Sequence, residues 1–346
     1  MEDTADQDRL TQDLPVGGQA VIEGVMIRAL GRIVTAVRSG DDIVVKSDDH
    51  VAWAQRLSCL GIPVVRGAIA FFEMLIIGLK SLNFSADIAM ANEQGNSDKL
   101  DARKSQSKWQ TRLMLAGTMA LSLGVGIGVF FFLPLLASQA IGADEDALLF
   151  NLIAGGIRAS LLVGYMWMIS QWSEIRRVFE YHGAEHKGIF TFEAGVDLTV
   201  EEARTFGRLH PRCGTSFLLI VVLLSIFLFA LADTAFADFV ARQQTLLERF
   251  ATHVSVLPLV AGLSFELLKL SGRKRNHPLT RLLIAPGLWL QRITTREPTD
   301  EQLEVALVAL RHALGKPSPV AYSLFDEATG LEGMIAVPIG SEGGIA

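Results

Sequence analysis

From Leu113 to Ala143 the chain carries no charged residue. As an α-helix, rising about 1.5 Å per residue, such a run exceeds the roughly 30 Å hydrocarbon core of a bilayer. A span in lipid must satisfy every backbone polar group internally, which selects a helix. Three more runs follow. Ala147 to Trp172 holds Arg158 in its interior, Gly214 to Ala232 is uncharged, and Phe250 to Leu270 is interrupted by Pro258 and Glu266. An arginine at a span centre costs roughly 2.5–3.5 kcal/mol, which a run of strongly apolar neighbours offsets. Arg158 is thus expected to face other helices or water, either as partner to a buried carboxylate or carbonyl or in a functional role. Gly124 and Gly128 form a small-xxx-small pair suited to helix packing rather than to a nucleotide loop, since no strand precedes them. Leu282 to Gln291 is too short to cross. Gly61 to Asn83, broken by Arg66, Glu73 and Lys80, reads as an amphipathic helix on the membrane or on the bundle.

Basic residues set the orientation. Lys99, Arg103, Lys104, Lys108 and Arg112 precede the first run, and only acids follow it, in the loop Ala143 to Asp146. Arg176, Arg177, Lys187, Arg204, Arg208 and Arg212 fill the next loop. Arg242 and Arg249 lie in the one after, and Lys269, Arg273, Lys274 and Arg275 close the fourth run. This alternation predicts four spans with both ends in the cytoplasm. The formal net charge of −6 comes largely from the ends and gives no reason to expect nucleic acid. Cys59 and Cys213 are too few for a disulfide framework. Residues 1–15 are acidic and polar, lack the pattern of a secretory leader, and read as a disordered start.

The expected class is therefore a mainly α polytopic membrane protein with a small N-terminal β region. Within a small β-rich cytoplasmic region at 16–60, Gln19 to Lys46 alternates apolar and polar side chains around the turn Ser39-Gly40-Asp41-Asp42, which predicts a hairpin or small sheet. An interfacial helix and basic linker occupy 61–111, and the bundle 112–292, with a cytoplasmic loop at 173–213. A cytoplasmic helix fills 293–316, opened by Thr299 and Gln302 as a capping box, with Leu303, Ala306, Leu307, Leu310 and Leu314 on one face. Residues 317–346 show no firm pattern and read as a tail.

Chemistry concentrates in two short segments. Tyr181-His182-Gly183-Ala184-Glu185-His186-Lys187 places two histidines four apart, one helical turn from each other and able to share one metal ion. The spelling H-x-x-E-H matches the inverted zinc-peptidase pattern, in which the glutamate is a general base. The bland alternative is a solvated loop helix. His210-Pro211-Arg212-Cys213-Gly214 opens the third span, with Pro211 in a first-turn position. His210 and Cys213 together suit zinc or another borderline metal; the alternative is an interface turn with a small buried thiol. Glu266, an acid inside an apolar run, is either functional or paired with Arg158 or Lys269. For one shared site the chain must fold back, because a straight helix beyond Trp172 carries His182 about 15 Å away. His50, His253, His277 and His312 read as surface or packing residues without partners.

Gly17 to Met26 (GGQAVIEGVM), the Tyr181–Lys187 motif, Arg208 to Phe217 (RLHPRCGTSF) and Thr294 to Pro298 (TTREP) together resemble the YqhQ family of bacterial membrane proteins, over about Val16 to Leu314. The resemblance implies a plasma-membrane location and a metal-dependent protein, an inference that rests on the same histidines. A Cys-Tyr pair often follows the histidine motif in that pattern. Thr191 and Phe192 stand here instead, so no thiol ligand is present at that point. The resemblance also marks Glu23, Arg28 and Glu297, which read as hairpin and helix-end salt bridges.

The leading expectation is a cytoplasm-facing metal site, zinc among the candidates. His182, His186 and His210 are ligands, Cys213 or Glu266 completes the shell, and Glu185 is general base in a hydrolase of open substrate. The alternative is a non-catalytic membrane scaffold that binds a cytoplasmic protein partner, with a structural metal or none. A transporter is a third reading, disfavoured by the low span number and the lack of an inverted repeat. Oligomeric state does not follow from the sequence.

Overall fold

The computed structural model describes residues 16–56, 61–94, 108–143, 145–240, 242–273, 278–326 and 330–337. The expected start 1–15, Cys59, the linker 95–107 and the end of the tail lie outside the described residues.

Four strands open the fold: β1 (Gly17–Val21), β2 (Gly24–Ala29), β3 (Arg32–Ser39) and β4 (Asp42–Asp49), an antiparallel meander joined by two-residue turns. Tight hairpins need left-handed backbone, which Glu23, Leu30, Gly31 and Gly40 supply. Two further strands, β5 (Tyr322–Asp326) and β6 (Gly330–Val337), come from the segment expected to be a tail. β5 pairs parallel to β4 at Val44↔Ser323, giving a six-stranded sheet in sequence order. Sequence offered no sign of this, because β5 is short and its partner lies nearly the whole chain away.

Both faces of the sheet are covered. Val25, Ile27, Val34, Ala36 and Val45 pack against helices α6 (Ser173–Glu193) and α11 (Asp300–Ala313). Met26, Ile33, Val37 and Val44 alternate with them and meet Ile77, Phe84 and Ile88 of α2 (Val65–Gln94). Period-two alternation with both parities apolar is the signature of a strand buried on both sides. Thr299 and Gln302 form the expected reciprocal capping box, and α11 is buried almost all round as the centre of this layer.

Between β4 and α2 lies the short helix α1 (Trp53–Arg56). Among the described residues, four helices are long and apolar enough to cross a bilayer: 116–140, 147–169, 214–240 and 246–270. The first joins α3 (Lys108–Ile127) to α4 (Leu133–Ala140) through a π-helical turn at Gly128–Phe132. The others are α5 (Ala147–Ile169), α8 (Gly214–Val240) and α9 (Leu246–Arg273), with α7 (Val200–Thr205) in the intervening loop. Gly124 and Gly128 have open space where a side chain would stand, so their expected packing role is not met within this chain.

A buried polar cluster ties three of these helices together. Asp233 of α8 accepts from Asn151 of α5 at 2.8 Å, and lies 3.0 Å from His253 and 3.5 Å from Arg249 of α9. Arg158 sits over the rings of Phe131 and Phe229 at 4.9 and 5.4 Å, within electrostatic reach of Asp233. Phe131 enters from the π-helical turn. Arg158 thus meets aromatic faces and the field of a buried carboxylate without a direct hydrogen bond to it, and His253, expected to lack a partner, has one. His50 likewise meets Glu73 at 3.0 Å and His312 meets the Tyr322 hydroxyl at 3.0 Å.

Helix α2 packs on the bundle, one of the two placements expected for it. Its first turn packs beside the interior of α9, where a Cβ on Gly262 would stand 2.2 Å from the Val64 carbonyl oxygen. Glu266 accepts from Arg66 at 2.7 and 2.6 Å and takes a backbone hydrogen bond from Val64, whose φ is +73°. From there α2 runs out to the sheet. Glu266 is thus the clasp of this helix start, and neither Arg158 nor Lys269 is its principal partner.

Replacing Asp233 by Asn leaves the buried Arg249 guanidinium without its carboxylate. The expected loss is on the order of 3–5 kcal/mol, read as a lower thermal midpoint of detergent-solubilised protein. An unchanged midpoint would show that Asp233 does not hold the cluster.

Candidate metal centre

The turn Ser170–Trp172 ends α5 and redirects the chain into α6, so the histidine motif returns toward the bundle instead of projecting from it. On α6, His182, Glu185 and His186 share one face, as spacings of three and four require. Gly183 is needed on another: a Cβ there would lie 2.0 Å from the Arg296 carbonyl oxygen. That contact lets α6 lie against the segment after α10 (Pro278–Thr294), sealed by Arg296 N–H donating to Phe179 O at 2.8 Å and by Lys187–Glu297 at 2.5 Å.

Cys213 immediately precedes α8, and its Sγ lies 3.2 Å from His182 Nε2. One donor atom from each of His182, His186 and Cys213 falls within 4.8 Å of the others, the one such group of three among the described residues. Each histidine is oriented through its far nitrogen. His182 Nδ1 lies 2.8 Å from Thr294 O, and His186 Nδ1 lies 2.6 Å from Arg208 O. A carbonyl only accepts, so both Nδ1 atoms carry the hydrogen and both Nε2 atoms present lone pairs to the cluster. This is the outer-shell arrangement that fixes metal-ligating histidines. His186 Nε2 is buried without a hydrogen-bond partner. Burial pushes the His186 imidazole down, favouring its neutral form.

Burial alone would raise the Cys213 thiol, but His186 and Thr215 outweigh it and the net direction is down. Thr215 contributes its N–H at 3.4 Å and its hydroxyl at 3.2 Å. Glu185 is also enclosed, and burial pushes its carboxyl up to about 8, against the pull of His182. One of its oxygens has no hydrogen-bond partner. Two soft-to-borderline nitrogens, a thiol inclined to ionise and orphaned buried acceptors fit a divalent transition metal such as zinc.

The other two expected ligands go elsewhere. His210 is buried, but its Nε2 meets Glu193 at 3.2 Å and its backbone is clamped by Gln291 at 2.8 and 2.9 Å. Arg212 also binds Glu193. His210 therefore shapes the loop before Cys213, and its ring centroid lies 5.6 Å from that of His186. Glu266 belongs to the α2 clasp. The other motif residues are pairing positions: Glu23 binds Arg177, Arg28 donates to Met74 Sδ at 3.2 Å, and Glu297 takes Lys187 and Arg208. Sequence reasoning missed Thr215, Gln291 and the carbonyls of Thr294 and Arg208. All four lie in or near the quoted motifs, but a carbonyl leaves no trace in residue type.

A family model described as DUF1385, protein of unknown function, matches residues 62–316. The protein is similar to the "Uncharacterized protein YqhQ" of Bacillus subtilis (strain 168), 35% identical over 307 residues, covering 86% of this chain and 92% of that one. No solved structure matches significantly.

Glu185 generates a pH dependence. Folded, its carboxyl titrates at about 8 against an ordinary value of 4.5. The unfolded chain therefore releases a proton that the folded protein keeps between those values, and stability falls as pH rises through that window. In chelator-treated protein, Glu185→Gln should raise the thermal midpoint at pH 8, with the gain shrinking toward pH 5. The full effect is on the order of a few kcal/mol. A gain equal at both pH values would show that Glu185 is not held protonated.

Proposed function

This chain belongs to the DUF1385 family that includes YqhQ, and we propose that it is a metal-dependent membrane hydrolase whose site faces the cytoplasm. The observation that carries the reading is the convergence of His182, His186 and Cys213, with His182, Cys213 and Glu185 lining one cavity. Three protein donors leave a position open, as catalytic zinc sites do, whereas structural sites close with four. That difference favours the hydrolase over a scaffold with a structural metal. The cytoplasmic orientation is supported by the excess of Lys and Arg before the first span and between the second and third.

His182, His186 and Cys213 would hold the ion, each already aimed by a partner on its far side. An ion held there supplies Lewis acidity and lowers the pKa of water. Glu185 supplies the proton traffic. The oxygen of water forms the new bond to an electrophilic carbon or phosphorus, and the leaving group takes the bonding pair. Beside a bound dication Glu185 is favoured in its ionised form, unlike in the metal-free protein, and its Oε2 then accepts the water proton and returns it to that leaving group. The apolar walls around Glu185 exclude competing water.

Elemental analysis of the purified protein should give about one equivalent of a transition metal, lost in the His182→Ala/His186→Ala double variant and kept in Glu266→Gln. Metal-free wild type, prepared without chelator, would overturn the proposal. With p-nitrophenyl esters and phosphates as probes, Glu185→Gln should lower turnover by about 10²–10⁴-fold with metal retained. Full activity in that variant would remove the general-base role.

A further inference from the structure

A cavity of about 530 Å³ opens from the metal-ligating cluster, within the range of roughly 300–1,000 Å³ usual for small-molecule sites. One end is polar, formed by His182, Glu185, Cys213 and Thr215, with Gly18 and Gln19 of β1 on the sheet side. The rest of the wall is hydrocarbon and aromatic: Ala70 and Leu75 of α2, Phe217 and Leu218 of α8, and Phe265 of α9.

Three of these elements place that wall at membrane depth. Phe217 and Leu218 lie near the start of the third candidate span, and Phe265 lies five residues before the end of the fourth. Helix α2 begins beside Gly262 in the interior of that fourth span, about 12 Å from its end at Leu270. Its outer side exposes Phe72, Leu75, Ile76 and Leu79 at helical spacing. Leu75 and Leu218 line the cavity and are also 50% and 36% exposed, so the cavity wall and the bilayer-facing surface share residues.

We infer that this cavity takes the hydrocarbon chain of a bilayer lipid, entering sideways from the leaflet past Leu75 and Leu218, with the lipid's polar linkage held at the His182–Glu185–Cys213 end. Resting on the hydrolase reading, this names the substrate class as a lipid cleaved at the linkage next to its chain. A peptide fits poorly, because its backbone N–H and C=O groups need partners that these walls do not provide. A hydrocarbon chain needs none. Moving it from bilayer to cavity changes its surroundings little, since lipid tails are as apolar as the cavity wall. Selection therefore falls to the polar end, where the chemistry is.

The test uses full-length protein in vesicles of phosphatidylethanolamine and phosphatidylglycerol containing a fatty acid with a diazirine in its tail. After illumination, mass spectrometry maps the labelled residues. Labelling is expected at Ala70, Phe71, Leu218 and Phe265 and to be suppressed by excess unlabelled fatty acid. Phe227, 67% exposed on the lipid side of α8, reports ordinary bilayer contact and should resist that competition. Ala70→Trp should reduce cavity labelling at least fivefold with Phe227 unchanged, and Leu75→Trp serves where the first variant fails to fold. Cavity labelling that is absent, or competed no more than Phe227, overturns the inference, as does displacement by an apolar hexapeptide alone. Metal content separates the two readings. The His182→Ala/His186→Ala variant should keep tail labelling, and labelling present in metal-free wild type would leave a lipid site without the hydrolase. Bound metal without cavity labelling would sink the lipid inference alone.

Discussion

The close approach of α6 to the segment after α10 governs the rest of this protein. Because position 183 has no side chain, the Arg296 carbonyl can occupy the space where a Cβ would stand. The Thr294 carbonyl then reaches His182, and Glu297 reaches Lys187. A methyl group at this point separates the two backbones and with them both the outer anchor of one histidine and the joint between sheet layer and bundle. Close packing of this kind tolerates little displacement.

The same segment organises the loop ahead of the third candidate span. Gln291 holds both backbone polar groups of His210 and also donates to Ser216, while Arg208 donates to Thr295. Cys213 is delivered to the histidines by this framework and lies where the first N–H groups of α8 favour negative charge. Donor atoms and orienting carbonyls thus come from three separate stretches of chain, none of which holds a site alone. Polar groups elsewhere in the bundle follow a different logic. Asp233 and Glu266 each sit within a candidate span and each is saturated by partners from neighbouring elements. Buried carboxylates so paired are costly to uncouple and report on architecture.

Helix α2 links the two layers. Its start is clasped to α9 through Glu266, its middle forms a cavity wall, and its end covers one face of the sheet. Its amphipathic pattern was legible in the sequence, but the environments it joins were not.

Four candidate spans were legible in the residues alone, since a run without charge and longer than a bilayer core has few other solutions. The capping box at Thr299, the hairpin alternation of 16–49 and the pairing of His182 with His186 were equally local, each set by a spacing within one element. Partner choice between elements was not. His210 and Glu266 carry the right atoms for a metal, yet Glu193 and Arg66 reach them first. Strand β5 was invisible because its partner β4 lies some 280 residues earlier, and β6 pairs only with β5. Residue type and spacing specify what a segment offers, and distances within one helix or hairpin follow from them. Which of several suitable groups meets another depends on how the chain turns at 170–172 and where Gly183 and Gly262 let backbones touch, and only the tertiary structure decides that.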